Sequence, residues 1–238
     1  MLISEDSLPQ GSPEWLDWRR SGIGGSEVYS LACRARHWLP PEFGALARAV
    51  TPHGEQPGWV STPRKIWMDK HGLLPPLDRN NPHLVRGHRV EPVVRELAEE
   101  TWGCVLEQVC AYSESRPRAR VSLDGFSFDK GILIEVKAPA RYWTHRPEYP
   151  EWQAAYQSAV MEAVGYPVNR VSILEGNEQS GSRQVLVKDW PLRTTQNPNV
   201  PLRVLGRHLL ELVEVFWELF MATDTPPDCI PRERDLLI

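Results

Sequence analysis

Three residues that can carry out phosphoryl-transfer chemistry fall within one short stretch of the chain. Asp124 precedes the turn Asp129-Lys130-Gly131, and the apolar run 132–134 then leads into Glu135 and Lys137. Side chains alternate along a strand, so Glu135 and Lys137 lie on one face, and the turn can bring Asp124 beside them. Two carboxylates and an ammonium at one point favour a Mg²⁺ site, which is the chemistry of phosphodiester cleavage. The alternative is a surface hairpin with a solvated Glu-Lys pair, which the apolar flanking residues disfavour.

The roles expected at such a site follow from the ligand preferences of magnesium. Mg²⁺ binds hard oxygen ligands and keeps several waters, so two carboxylates and a main-chain carbonyl leave room for a phosphate and a nucleophilic water. Lys137 would then lower the pKa of that water or orient it. Glu91, in the segment Gly87-His88-Arg89-Val90-Glu91-Pro92, is either a further metal or water ligand or a solvent-facing helix residue.

Two further patterns could contact phosphate. The segment Gly22-Ile23-Gly24-Gly25-Ser26 ends at a predicted helix N-terminus, where free amides and the helix dipole favour an anion. Arg19 could bind the same phosphate, although a tight interhelical turn explains the glycines equally well. Gln153 and Gln157 lie one helical turn apart on one helix face, where either could hydrogen-bond water or a phosphate. The alternative is that both glutamines are exposed.

The overall charge does not point to nucleic acid. The 238 residues carry a net charge of −4 at pH 7, so any DNA contact must come from local basic clusters. Arginines bracket the proposed site and form either a rim for a polyanion or solvated loops: Arg116, Arg118, Arg120, Arg141 and Arg146.

Cysteine usage and hydropathy also narrow the function class. Cys33, Cys104, Cys110 and Cys229 have no metal-binding spacing, so zinc is not expected. The sequence shows no signal peptide and no apolar run long enough to span a bilayer, so we expect a cytoplasmic protein without membrane association.

The periodicity predicts one domain with a mixed β-sheet flanked by helices, an α+β fold. Its parts are a helical N-terminal region 1–103, a catalytic sheet core 104–190 and a C-terminal helix 200–222. Residues 35–61 read as irregular. The longest N-terminal helix starts at Asn81-Pro82, with an expected core face of Val90, Val94, Leu97 and Thr101. Strands are predicted at 104–112, 118–123, 132–138, 169–174 and 183–189, with a helix at 151–164 between the third and fourth.

Together these pieces resemble the lambda-exonuclease-type (YqaJ) viral recombinase nucleases of the PD-(D/E)XK superfamily, over roughly residues 13 to 165. The segment from Trp15 and Arg19 to Ile23, Ser26 and Glu27 is similar to the N-terminal signature W-x-x-x-R-x-x-x-I-x-x-S-[DE] of that family. Three further motifs follow in the same order as in the family, which makes the combination specific. They are G-x-x-x-E at Gly87 and Glu91, S-x-D-G at Ser122 to Gly125, and E-x-K at Glu135 to Lys137.

The resemblance implies the PD-(D/E)XK nuclease core and a role for each matching position. Asp124, Glu135 and the Val136 carbonyl would hold Mg²⁺, which Mn²⁺ could replace, while Lys137 and Glu91 support catalysis. Arg19, Ser26 and Ser122 would surround a terminal 5′ phosphate.

Two features of the chain depart from the family. Its next helix usually carries Y-x-x-Q-x-Q, whereas here the glutamines are Gln153 and Gln157, of which we expect Gln157 to face the metal. The 35–61 segment also has no matching counterpart.

The implied activity is a 5′-to-3′ exonuclease that acts on double-stranded DNA ends and leaves 3′ single-stranded tails for phage-type recombination. The family also implies a homotrimer around DNA and a single-strand annealing protein as partner. Two alternatives remain: an endonuclease or CRISPR-associated nuclease of the same superfamily, and a DNA-end-binding module without catalysis. The retained Asp, Glu and Lys argue against the second alternative, because a buried charge cluster is costly.

Overall fold

The centre of the molecule is one six-stranded mixed sheet. The computed structural model describes residues 1–54, 57–58, 60–75, 80–178, 185–191 and 202–228. The strands lie side by side in chain order and are β1 (Leu2–Ser4), β2 (Glu107–Ser113), β3 (Arg116–Ser127), β4 (Ile132–Lys137), β5 (Arg170–Glu178) and β6 (Val185–Pro191). All neighbours are antiparallel except β4 and β5, which are parallel. A mixed sheet with flanking helices confirms the predicted α+β fold class.

Eight α-helices surround this sheet in the described part of the chain. They are α1 (Pro13–Arg20), α2 (Gly25–Cys33), α3 (Ala35–Trp38), α4 (Gly44–Val50), α5 (Pro63–Lys70), α6 (Pro82–Trp102), α7 (Tyr149–Ala163) and α8 (Leu202–Phe216). Ser12, Thr62 and Asn81 cap α1, α5 and α6 by accepting hydrogen bonds from main-chain amides, and each of these helices begins with proline. A single π-helical turn, Trp217–Met221, continues α8.

The two faces of the sheet are covered by different helices. On one face the largest apolar cluster joins α2, α4, α7 and α8 to β2 and β3. On the other face α6 packs on β4 and β5 through Val90, Val94 and Ala98. Alternation along β4 sends Leu133 to the first cluster and Ile132, Ile134 and Val136 to the second. Glu135 and Lys137 therefore share the face of Leu133, on which α7 packs.

Three details differ from the sequence-based expectation. The segment 35–61 is not irregular, because it contains α3, a short 3₁₀ turn at Pro41–Phe43 and α4. The core face of α6 continues from Val94 to Ala98, one turn on, whereas Leu97 and Thr101 are exposed. Strand β1 was not expected, since three residues are too few to show a period.

Some predictions fall partly or wholly outside the described residues. These are Cys229, positions 183–184 of the last predicted strand and positions 200–201 of the C-terminal helix. Within the described ranges, no helix has the length and apolar character needed to cross a membrane.

Candidate active site

The site lies where β3 and β4 separate. Their hairpin turns through Gly131, which has a φ of +63°, and strand pairing runs only as far as Gly125 opposite Ile134. Beyond that pair the strands diverge, and the Asp124 carboxylate accepts the Val136 N–H through Oδ2 at 2.7 Å. The carboxylate thus replaces a main-chain partner that the antiparallel ladder no longer supplies. This divergence opens the sheet next to the Asp-Glu-Lys cluster.

Glu135 and Lys137 contact each other, and helix α7 supplies a glutamine to each. Glu135 is 1% exposed; Lys137 donates to its Oε1, and Gln157 Nε2 donates to its Oε2 at 2.7 Å. Gln153 Oε1 accepts from Lys137 Nζ at 3.0 Å. Because Gln153 and Gln157 are one turn apart on the same helix face, both reach the site, each through a different partner.

Glu91 reaches the same region from α6, on the opposite face of the sheet. Its Oε1 accepts from Gln108 Nε2 at 2.6 Å and from Arg95 Nη1 at 3.3 Å. Arg95 Nη1 also donates to the Asp124 main-chain carbonyl at 2.9 Å. Arg95 therefore ties the helix carboxylate to the strand that carries Asp124. Neither Arg95 nor Gln108 belongs to a motif that sequence analysis could recognise, although Arg95 lies at i+4 from Glu91.

The electrostatics of this cluster are dominated by excess negative charge. Burial, and then the charges of Glu135 and Glu91, raise the pKa of Asp124 well above its usual value. Burial also raises the pKa of Glu91, with a further contribution from Glu135. For Lys137, burial lowers the pKa, but the charges of Glu135, Tyr149 and Asp124, with the hydrogen bond to Glu135, together outweigh burial and the net shift is upward. The lysine is therefore an ammonium, and the carboxylates lack sufficient positive charge.

This donor set fits a hard divalent cation. Within the described residues no group of three Asp, Glu, His or Cys side chains forms a ready cage for a metal. Mg²⁺ does not require one, because it commonly takes one or two carboxylates and completes its shell with water and phosphate. Asp124 and Glu135, with the Val136 carbonyl, are the residues that could hold it. A cation there would offset the charges of Glu135 and Glu91, which add to the effect of burial on the pKa of Asp124.

The glycine-rich segment between α1 and α2 lies in the same cleft as the carboxylates. Arg19 stacks over the Trp15 ring at 4.9 Å, and its Nη2 lies 3.4 Å from Ser26 Oγ at the start of α2. The indole of Trp15 donates to Ser122 Oγ at 3.0 Å. Arg19, Ser26 and Ser122, predicted to surround a phosphate, thus line one cavity of about 300 Å³ together with Asp124, Glu135 and Lys137. We call Arg19, Ser26 and Ser122 the phosphate cradle.

A buried ion pair between Glu27 and Lys70 holds the main chain beside the phosphate cradle. Glu27 accepts the Gly24 N–H at 2.7 Å, and Lys70 Nζ on α5 lies 2.7 and 2.8 Å from its two carboxylate oxygens. Lys70 Nζ also donates to the Arg19 carbonyl at 3.1 Å, and its side chain is 1% exposed. Burial raises the pKa of Glu27, but the charges of Lys70 and Arg19 hold it below its usual value. Lys70 carried no sequence signal.

The arginines that bracket the site in sequence do not form one rim. Arg120 lines the cleft and stacks over Trp18 at 5.1 Å. Arg146 is instead buried, and its Nη2 lies 2.7 Å from Glu151 Oε2. Arg118 lies over the Trp217 ring at 4.5 Å. The expectation of a shared basic rim is therefore wrong for Arg146, because that side chain holds the loop before α7.

Comparison with known proteins gives one family and one fold. Residues 48–165 match the family described as the YqaJ-like viral recombinase domain. The matched segment contains Glu91, Asp124, Glu135 and Lys137. It begins after the α1–α2 corner, so the cradle residues Arg19 and Ser26 lie outside it. A search among curated proteins gives no match.

A solved structure shows the same fold at low sequence identity. A phage-related exonuclease from Haemophilus somnus 129PT superposes with a TM-score of 0.52 and 9% identity, over 86% of this chain and 96% of that one. The crystal structure of SSO0001 gives a TM-score of 0.39 and 8% identity, over 87% of this chain and 88% of that one. That TM-score is too low to support a conclusion.

Proposed function

Because the chain belongs to the YqaJ-like viral recombinase family through residues 48–165, we propose that it is a Mg²⁺-dependent 5′-to-3′ exonuclease acting on double-stranded DNA ends. Its product would be a duplex with 3′ single-stranded tails, the substrate of single-strand annealing in phage-type recombination. The protein would act in the cytoplasm of a bacterium or phage-infected host. A homotrimer and a partner annealing protein, both implied by the family resemblance, complete the proposal.

One observation carries the nuclease assignment. Asp124, Glu135 and Lys137 meet at the point where β3 and β4 diverge, and burial, followed by the charges of Glu135 and Glu91, raises the pKa of Asp124. A structural ion pair would balance its charges, and a solvated hairpin would not bury Glu135. A buried, under-neutralised acidic cluster that opens into a cleft is what binding of a catalytic cation requires.

Each residue of the cluster then has a distinct task. Asp124, Glu135 and the Val136 carbonyl would hold Mg²⁺, which when bound stabilises the negative charge that builds on the phosphate. Gln157 orients Glu135 by donating to its Oε2. Lys137, held by Glu135 and Gln153, presents an ammonium that orients the attacking water and stabilises developing charge.

The proposed polarity of digestion rests on the phosphate cradle. Arg19, Ser26 and Ser122 lie in the same cavity as the acidic cluster, and an arginine with hydroxyl groups suits a terminal phosphate. A strand anchored there by its 5′ phosphate would present its first internucleotide linkage to the metal site. Lys70 also donates to the Arg19 carbonyl and to the Glu27 carboxylate, so the cradle is pre-organised.

The test uses three DNA substrates with purified protein. Linear duplex with a 5′ phosphate should be degraded in Mg²⁺ and not in EDTA, linear duplex without the phosphate should be degraded more slowly, and a covalently closed circle should stay intact. Lys137→Ala should bind the phosphorylated duplex but not cut it. Cutting of the circle would support an endonuclease instead. Binding of ends by the wild type without any cutting in Mg²⁺ or Mn²⁺ would support the non-catalytic module.

A further inference from the structure

A second cavity adjoins the proposed catalytic cleft. It has a volume of about 370 Å³ and is lined at one point by Ser26 of the phosphate cradle and at another by Lys137 of the acidic cluster. Gln153, which accepts from Lys137, lines both cavities. The second cavity is therefore continuous with the two places where the proposed exonuclease would hold consecutive phosphates.

The lining of this cavity differs in kind from that of the catalytic cleft. Carboxylates and arginines line the cleft, whereas this cavity has aromatic and aliphatic groups that the cleft lacks: Tyr29, Pro139 and Tyr149. Leu84 lies at the border and lines both cavities. The two tyrosine rings pack edge to face with centroids 6.1 Å apart, and Lys137 Nζ lies 5.7 Å from the centroid of Tyr149. These contacts fix the walls before any ligand arrives.

Besides Ser26, Lys137 and Gln153, which it shares with the cleft, the cavity has polar groups at His83 and Arg86. Arg86 Nε donates to the Ala138 carbonyl at 2.8 Å, and Arg86 Nη2 lies 3.0 Å from His83 Nδ1. The cavity therefore combines apolar walls with a small polar edge, which suits a flat heteroaromatic ring.

The nucleotide that joins the two phosphate positions supplies such a ring. If the 5′ phosphate lies at Ser26 and the first internucleotide phosphate lies near Lys137, the sugar of the terminal nucleotide spans the distance between them. Its base must then leave the charged cleft. The apolar cavity that borders both Ser26 and Lys137 is where burial of that base is most favourable.

We propose that this cavity, bounded by Tyr29, Leu84, Pro139 and Tyr149, binds the nucleobase of the 5′-terminal nucleotide before the nucleotide is released. This inference rests on the proposed exonuclease function. The contacts are made mainly with the faces and edges of the ring, so all four bases are accepted and a missing base is penalised. The cavity thereby helps to place the first internucleotide phosphate at the acidic cluster.

The test compares two 5′-phosphorylated duplexes in Mg²⁺. In one, the terminal nucleotide is an abasic tetrahydrofuran residue; in the other, it is a normal nucleotide opposite a mismatched base, so that neither end is paired. Base stacking in such sites is worth about 1–3 kcal/mol, so kcat/KM for the first release should be roughly tenfold lower for the abasic end, within a range of about 5- to 150-fold. Equal values for the two ends would overturn the inference.

Variants of Pro139, which lines this cavity and not the catalytic cleft, link the effect to the cavity. Pro139→Trp fills it and should lower kcat/KM for the base-bearing end to the abasic value while leaving the abasic end nearly unchanged. Pro139→Ala, which adds no bulk, should reduce the ratio between the two ends. Pro9→Trp, at an exposed proline outside both cavities, is the matched control. Equal slowing of both ends by Pro139→Trp would also reject the cavity as a base site. Absence of cleavage of either duplex by the wild type would instead reject the exonuclease function itself.

Discussion

The buried pair between Glu27 and Lys70 makes the sharpest stability prediction. The side chains of Lys70 and Glu27 are 1% and 13% exposed, and Lys70 Nζ lies within 2.8 Å of both carboxylate oxygens. Lys70→Met keeps the volume and removes the charge, which leaves Glu27 buried without its main cation. Breaking a buried pair from one side costs about 3–5 kcal/mol. For a chain of this size that corresponds to a decrease in Tm of roughly 6–20 °C.

The assay is thermal and urea unfolding of four proteins: wild type, Lys70→Met, Glu27→Gln and the double variant. In the double variant neither partner is left charged and unpaired. Its loss of stability should therefore be at least about 2 kcal/mol smaller than the sum of the two single losses. Arg20→Met is the control, because Arg20 pairs with Asp17 nearby on α1 but both are solvent-exposed, and its loss should be below about 1 kcal/mol. A Lys70→Met protein as stable as Arg20→Met would refute the reasoning.

Three further predictions concern the phosphate cradle, the helix α7 that carries Gln153 and Gln157, and the loop before α7. Arg19→Ala should reduce the preference for 5′-phosphorylated over unphosphorylated duplex in a kcat/KM comparison, and an unchanged ratio would remove Arg19 from the cradle. Gly25→Ala should lower the cleavage rate, because its Cβ would lie 3.0 Å from Gln153 Cγ, whereas Gly44→Ala, with a nearest contact of 3.6 Å, should not. Burial raises the pKa of Glu151 to about 7 in the folded protein, against 4.5 in the unfolded chain. The protonated side chain therefore favours the folded state. This contribution to stability is complete below pH 4.5 and is lost as pH rises to 7. Between pH 5 and 8, urea unfolding should therefore show the wild type losing about 2–3 kcal/mol more stability than Glu151→Gln.

The parts of the site that could be predicted from the sequence are formed by residues close together in the chain. Asp124, Glu135 and Lys137 belong to one hairpin, so the turn at 129–131 and strand alternation suffice to bring them together. The spacing of Gln153 and Gln157 likewise placed both on one helix face, but the partner of each depends on how α7 packs on β4. Sequence favoured Gln157 as the residue facing the metal, and that role stays a prediction.

The residues that the sequence did not reveal make contacts between distant segments. Lys70 meets Glu27 across 43 positions, and Gln108 meets Glu91 across 17. A lone lysine or glutamine reads as a solvated side chain, because nothing in its neighbours distinguishes burial from exposure. The short helices α3 and α4 were missed for a related reason: they are too short to show a period, and packing against α8 and neighbouring helices stabilises them.

The two ends of the cleft carry opposite charge, and this sets the order in which ligands can bind. At the cradle, Arg19 and Lys70 outweigh Glu27, so a phosphate is attracted there without any metal. At the acidic cluster, Glu91, Asp124 and Glu135 outweigh Lys137 and Arg95, so a phosphate is repelled until a cation neutralises them. DNA ends should therefore bind through the cradle even in EDTA, while placement of the first internucleotide phosphate at the carboxylates depends on Mg²⁺. In the proposed exonuclease, such an arrangement would select a strand end before it permits cleavage.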